Sequence, residues 1–151
     1  MGNGFRRLVV LILLPSAICH LPCRPLWAAG PADQHFQAGL AYERLGRYDE
    51  SYTELQLAFA VDQENVGLAL ALGVVASRLG RLDVAQRALE RSIALDSDSV
   101  ASYYQLALVY EKKGASDRAA DAWRRFLSLS ADESLKTVAQ RHIQYLESHH
   151  S

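Results

Sequence analysis

The stretch GLAYERLGRYDESYTEL (residues 39–55) is written again as GVVASRLGRLDVAQRAL (73–89) and as ALVYEKKGASDRAADAW (107–123), each copy 34 residues after the last. Gly39, Gly73 and Ala107 share one phase, and Gly46, Gly80 and Gly114 a second. Asp49, Asp83 and Asp117 share a third, and Leu55, Leu89 and Trp123 a fourth. A gapless period in this range marks an array whose units bury their apolar faces only against their neighbours.

Within each copy the residues fall into two amphipathic stripes at helical spacing. In the first, His35, Ala38-Gly39 and Tyr42 form one stripe, and Ser51, Leu55 and Ala58 the other, with Leu45-Gly46-Arg47 between them. Glycine there ends one helix and permits a tight turn, and Asp49 sits where it can cap or favour the first turn of the next helix. Each unit is therefore a helical hairpin. The small residues at the Gly39 and Ala85 phases let backbones approach closely, and the large residues at the Leu55 phase fill the space beside them.

The flanks read differently. Met1 to Arg7 ends in two arginines, Leu8 to Leu14 is an unbroken apolar run closed by Pro15, and Ala28, Ala29 and Gly30 follow. That is the layout of a secretory signal peptide over 1–29, with an apolar core too short for the ~20 residues of a membrane span. It predicts an exported, periplasmic or cell-envelope protein. Cys19 and Cys23 precede the cleavage point, so the mature chain would have no cysteine. The runner-up is a membrane-tethered subunit of an envelope assembly, secretion, pilus or cytochrome-maturation apparatus, held by a retained or lipidated N-terminus, with Cys19 as the candidate for acylation. After 133, Leu135, Val138, Ala139, His142 and Leu146 form an apolar stripe, while the repeat's own phases carry Thr137, Gln140, Arg141 and Gln144. This predicts a closing helix over 134–148 with one face on the array and a polar face to water.

The three units, 32–65, 66–99 and 100–133, resemble the tetratricopeptide repeat family, whose pattern is W-x2-L-G-x2-Y, then A-x3-F, then P. The residues that carry the likeness are His35, Ala38-Gly39, Tyr42, Ser51 and Leu55 in the first copy. They are Ala69, Leu72-Gly73, Ala76, Ala85 and Leu89 in the second, and Tyr103, Leu106-Ala107, Tyr110, Ala119 and Trp123 in the third. The terminal proline is replaced by Gln63, Ser97 and Ala131, so looser turns between units are expected. The resemblance implies an all-α solenoid: three helix-turn-helix repeats and a capping helix, acting as a non-enzymatic protein-interaction module.

In that family the first helix of each unit lines a concave groove. Carried over residue by residue, the contact positions give an apolar strip of Phe36, Leu40, Leu70, Val74, Tyr104 and Leu108, beside a basic column of Arg44, Arg78 and Lys112. Members that hold an acidic C-terminal tail have a lysine and an asparagine where this chain has Phe36 and Leu40, so that specificity does not transfer. The expected ligand is an apolar protein or peptide segment whose acidic end meets the basic column. Two other fates for the strip stay open, namely coverage by the closing helix and self-association with a second copy.

Composition narrows the rest. The 151 residues are 50% hydrophobic and 22% charged, with 16 Lys+Arg against 17 Asp+Glu. Without Arg6, Arg7 and Arg24 the remainder has 13 against 17, a net −4, which argues against a nucleic-acid partner. There is no Gly-rich phosphate loop, no G-x-S-x-G and no His-Glu-x-x-His, so no catalytic residue or cofactor is expected. His142, His149 and His150 make a poor metal set, because one lies on the apolar stripe and two in a short polar end. Trp123 is expected in the core, with Tyr103 and Tyr110 inward and Tyr104 towards the groove.

Overall fold

Seven helices make up the computed structural model, which describes residues 30–148. They are α1 (Pro31–Arg44), α2 (Tyr48–Val61), α3 (Val66–Arg78), α4 (Leu82–Leu95), α5 (Val100–Lys112), α6 (Ser116–Leu129) and α7 (Glu133–Ser148). The expected signal peptide with Cys19 and Cys23, and His149 and His150, lie outside the described residues.

Three identical turns set the hairpins. Gly46, Gly80 and Gly114 have φ of +72°, +72° and +69°, a left-handed conformation that an L side chain adopts only at a cost. The residue after each glycine donates its N–H back five residues: Arg47 to the Tyr42 carbonyl, Arg81 to Ala76 and Ala115 to Tyr110, each at 2.9 Å. These bonds satisfy carbonyls that the ending helix would leave unpaired. Arg47, Arg81 and Ala115 stand at the N-cap of the helices that follow and give no side-chain cap, and Asp49, Asp83 and Asp117 lie in the first turns. Of the two uses foreseen for Asp49, the structure therefore takes the second, a carboxylate near the positive end of the helix dipole.

The turns between hairpins are closed by other means than proline. Asp62 accepts the N–H of Glu64 and Asp96 that of Asp98, both at 3.1 Å, so each aspartate folds the chain over the residue where proline was expected. Asn65 then caps α3 through the Leu68 N–H at 3.0 Å. Asp132 does the same for α7, accepting from Ser134 and Leu135 at 2.9 and 3.1 Å. The expectation of looser turns is corrected at the first two sites, where the Asp side chain supplies the constraint.

Packing inside a hairpin is a knob against a gap. A β-carbon placed on Gly39 would sit 2.7 Å from Leu55 Cγ, and one on Gly73 would sit 2.6 Å from Leu89 Cγ. Leu55, Leu89 and Trp123 are all fully buried, and in the third hairpin the small partner is Ala107. Ser51 Oγ donates to the Gly39 carbonyl at 2.8 Å, so even the polar atom at the contact is satisfied.

Hairpins stack through α2 on α3 and α4 on α5, and α7 packs on α6 in the same way, where a fourth pair would begin. The first helices α1, α3 and α5 approach one another, while α2, α4 and α6 stay apart, so the array has an inner face and a splayed outer one. Both ends are polar. Leu68, Ala71 and Val75 of α3 are buried, whereas the same phases of α1 hold Gln34, Gln37 and Ala41, all exposed. On α7, Ala139 and Leu146 are buried and Thr137, Gln140, Arg141 and Gln144 face water. Leu135, expected on the buried stripe, is instead 39% exposed. No helix among the described residues is long and apolar enough to cross a membrane.

Candidate functional site

The inner face is built from one side of α1, α3 and α5. Phe36, Leu40, Leu70, Tyr104 and Leu108 are half-buried and rest on the core, and Val74 is half-buried between them on the central helix. Phe36 leans towards the next rung: its Cζ would lie 3.7 Å from a β-carbon on Gly67, at ordinary contact distance. Tyr104 is tied more firmly than its neighbours. Its ring meets Trp123 edge-on with centroids 5.3 Å apart and lies 5.5 Å from Phe126. The strip thus rests on a rigid floor at its third rung.

Arg44, Arg78 and Lys112 are exposed, and among the described residues the hydrogen bonds they make go to neutral oxygens. Arg44 Nε donates to the Leu40 carbonyl at 3.2 Å, and Arg78 Nη1 to the Tyr48 hydroxyl at 3.4 Å. Lys112 Nζ donates to the Ser77 hydroxyl and carbonyl at 3.1 and 3.3 Å. Elsewhere Arg81 lies 3.6 Å from Asp49, and Lys113 lies 2.7 Å from Asp83. The column beside the strip therefore keeps charge that a ligand carboxylate could meet, although Lys112 and Arg78 lean towards the preceding hairpin.

The closing helix leaves the strip open. The backbone of α7 approaches α6 alone and stays away from α1 and α3. It is joined to α5 by His142, whose Nδ1 lies 2.8 Å from Glu111 Oε1. The same oxygen accepts the Trp123 indole N–H at 2.6 Å, and the His142 ring stacks on Trp123 with centroids 4.8 Å apart. Glu111 is thus the common acceptor that fastens the cap. The sequence places His142 on the apolar stripe and carries no motif for this partner. The signal was available, because His142 takes the phase of Leu108 in a would-be fourth unit and lands beside Glu111 on the previous first helix. A second pair of this kind, His35 Nδ1 with Glu54 Oε2 at 2.6 Å, joins α1 to α2 and also escaped notice. Among the described residues no group of His, Cys, Asp and Glu is arranged to hold a metal ion.

A helical-hairpin solenoid with an open inner face is the architecture of a protein-interaction module. The sequence carries the same identity: tetratricopeptide repeat models match residues 33–65 and 67–99, and a further one matches 101–141. The chain belongs to the tetratricopeptide repeat family. No curated protein matches the sequence. Among solved structures, MamA superposes with a TM-score of 0.72 at 23% identity, over 78% of this chain and 67% of that one. The Yersinia enterocolitica type III secretion chaperone SycD, in complex with a peptide of the translocator YopD, gives 0.71 at 17% identity, over 77% and 92%. The first repeat domain of Spaghetti (RPAP3), bound to the HSP90 peptide SRMEEVD, gives 0.70 at 19% identity, over 80% and 93%. At these identities the likeness is one of fold.

Proposed function

We propose that this protein is an exported adaptor that holds a partner segment along its inner face. The segment is an apolar helix or strand lying on Phe36, Leu40, Leu70, Val74, Tyr104 and Leu108, with an acidic end at Arg44, Arg78 and Lys112. The observation that carries the reading is the combination of an apolar strip away from the α7 backbone with a basic column that, among the described residues, bonds neutral oxygens. A contiguous apolar surface of this kind usually marks an interaction site. SycD and RPAP3 each have a structure with a peptide, which supports a peptide-sized ligand for the fold. The partner's chemistry here follows from this chain's own side chains, since Phe36 and Leu40 offer no polar group to a terminal carboxylate.

The test is Leu40→Asp with Leu108→Asp, assayed by co-purification from the native host and by circular dichroism. Loss of the co-purifying partner with unchanged helicity supports the trough; unfolding, or a change confined to oligomeric state, refutes it. Export is tested separately by intact mass. A chain lacking the residues up to Ala28 or Ala29 fits the exported adaptor, whereas an intact Met1 or added acyl mass gives the membrane-tethered reading.

A further inference from the structure

The outer face carries a groove of about 470 Å³ between α2 and α4, lined by Gln56, Phe59, Ala60 and Gln63 on one side and Val84, Arg87, Ala88 and Arg91 on the other, with Leu72 beneath. We propose that it is a second docking site, taking a short partner segment in which one bulky apolar side chain is flanked by carboxylates. The volume lies in the range of small-ligand sites. Its floor of Phe59, Leu72, Val84 and Ala88 suits an aliphatic or aromatic side chain, and the small Ala60 and Ala88 on facing walls leave the opening.

Charge decides the flanks. Arg87 and Arg91 stand one turn apart on the same wall. Arg87 has no carboxylate within 4 Å among the described residues; its charge is felt by Asp83 one turn before it, whose carboxylate is bonded by Lys113 at 2.7 Å. Arg91 donates to the Gln63 carbonyl at 3.1 Å and lies 3.3 Å from Glu64, a carboxylate 84% exposed that a ligand acid can replace. Gln56 and Gln63 on the facing wall present amides suited to a peptide backbone, for which a fatty chain has no use.

The next gap along the array shows that the groove is particular to this position. Between α4 and α6 the phase of Val84 holds Arg118, whose guanidinium lies 6.0 Å from the centre of the Tyr110 ring. The phase of Arg87 holds Asp121, paired with Arg124 at 2.8 Å, and Arg125 lies 3.8 Å from Asp98. That gap therefore has a charged side chain and a carboxylate where the α2–α4 groove has the apolar Val84 and the basic Arg87. Residues 1–29 are an unsuitable occupant, because they carry Arg6, Arg7 and Arg24 and no acid, placing like charge against Arg87 and Arg91.

The experiment titrates the labelled full chain with the peptide acetyl-Asp-Glu-Phe-Leu-Asp-Glu-amide, with its counterpart carrying lysine at every acidic position, and with dodecanoate. Amide resonances are followed by NMR. The acidic peptide is expected to move the signals of Phe59, Val84 and Arg87. Arg87→Glu should weaken it by about tenfold or more, Ala60→Trp should abolish it by filling the groove from the rim, and Leu40→Asp with Leu108→Asp should leave it intact. The last variant keeps this site distinct from the trough, so either can fail alone. The proposal is overturned by shifts confined to the inner face, by equal binding of the lysine peptide, by dodecanoate moving the same signals as strongly, or by an Arg87→Glu variant that binds normally. It is also overturned if Arg87→Glu instead dissociates a dimer, which would make a second copy the occupant.

Discussion

Gly73→Ala is predicted to change sign with its partner. In the native protein the new methyl would lie 2.6 Å from Leu89 Cγ and 2.8 Å from Cδ2, with Leu89 fully buried and unable to swing away. Overpacking of this kind costs about 1–3 kcal/mol. Replacing glycine in a helix interior returns up to ~1 kcal/mol of helix propensity, which leaves a net loss of roughly 0–2 kcal/mol. Leu89→Ala alone removes a buried side chain and should cost about 2–5 kcal/mol. Once Leu89 is gone the clash is gone, so adding Gly73→Ala should recover up to ~1 kcal/mol. Urea unfolding of the four proteins, followed by circular dichroism and by Trp123 fluorescence, gives the coupling directly. The same effect of Gly73→Ala in both backgrounds would refute the idea that these hairpins are set by a large side chain seated on a missing β-carbon.

Other outcomes follow from the same structure. Gly80→Ala should cost about 1–2 kcal/mol for the left-handed backbone, whereas Gly67→Ala, with only ordinary contacts around its new methyl, should be neutral or stabilising in the same urea assay. Trp123→Ala should cost ~3–5 kcal/mol. Glu111→Ala should cost less, about 1–3 kcal/mol, and hydrogen exchange should localise its effect to α7, because it leaves the Trp123 N–H and His142 without their acceptor. Burial and the neighbouring Glu90 push the Tyr110 phenol up to about 12. The folded state thus keeps that proton after the unfolded chain has lost it, so this contribution is intact below about pH 10 and is lost between pH 10 and 12. Unfolding curves of the native protein and of Tyr110→Phe across that range should diverge, and parallel curves would contradict the assignment.

The fold was legible because each of its devices repeats. Gly46, Gly80 and Gly114 announced three left-handed turns, and the Gly39–Leu55 and Gly73–Leu89 pairs announced the packing. The polar residues at Thr137, Gln140, Arg141 and Gln144 announced the end of the array. What stayed hidden depends on contacts between units. The aspartate turns at Asp62 and Asp96 take over from proline without any motif to flag them. The shared acceptor Glu111 is invisible until α7 is seen to occupy the place of a fourth first helix. The outer groove depends on Val84 being apolar where the next unit has Arg118, a single exchange that periodicity reads as noise. On the inner face, sequence could name the residues of the strip but not that Tyr104 leans on Trp123, nor that Lys112 bonds the Ser77 carbonyl.

The central claim is that the inner face of α1, α3 and α5 is a working surface and not a buried one. A photoreactive residue at Val74 of the full chain, activated in the native host and compared with one at Arg124 on the outer face, tests it most directly. The account predicts one partner crosslinked from position 74 alone, through an apolar segment with acidic residues at one end, and its loss when Leu40 and Leu108 are aspartate. Crosslinks from position 74 only to this chain itself, or the same products from both positions, would contradict it.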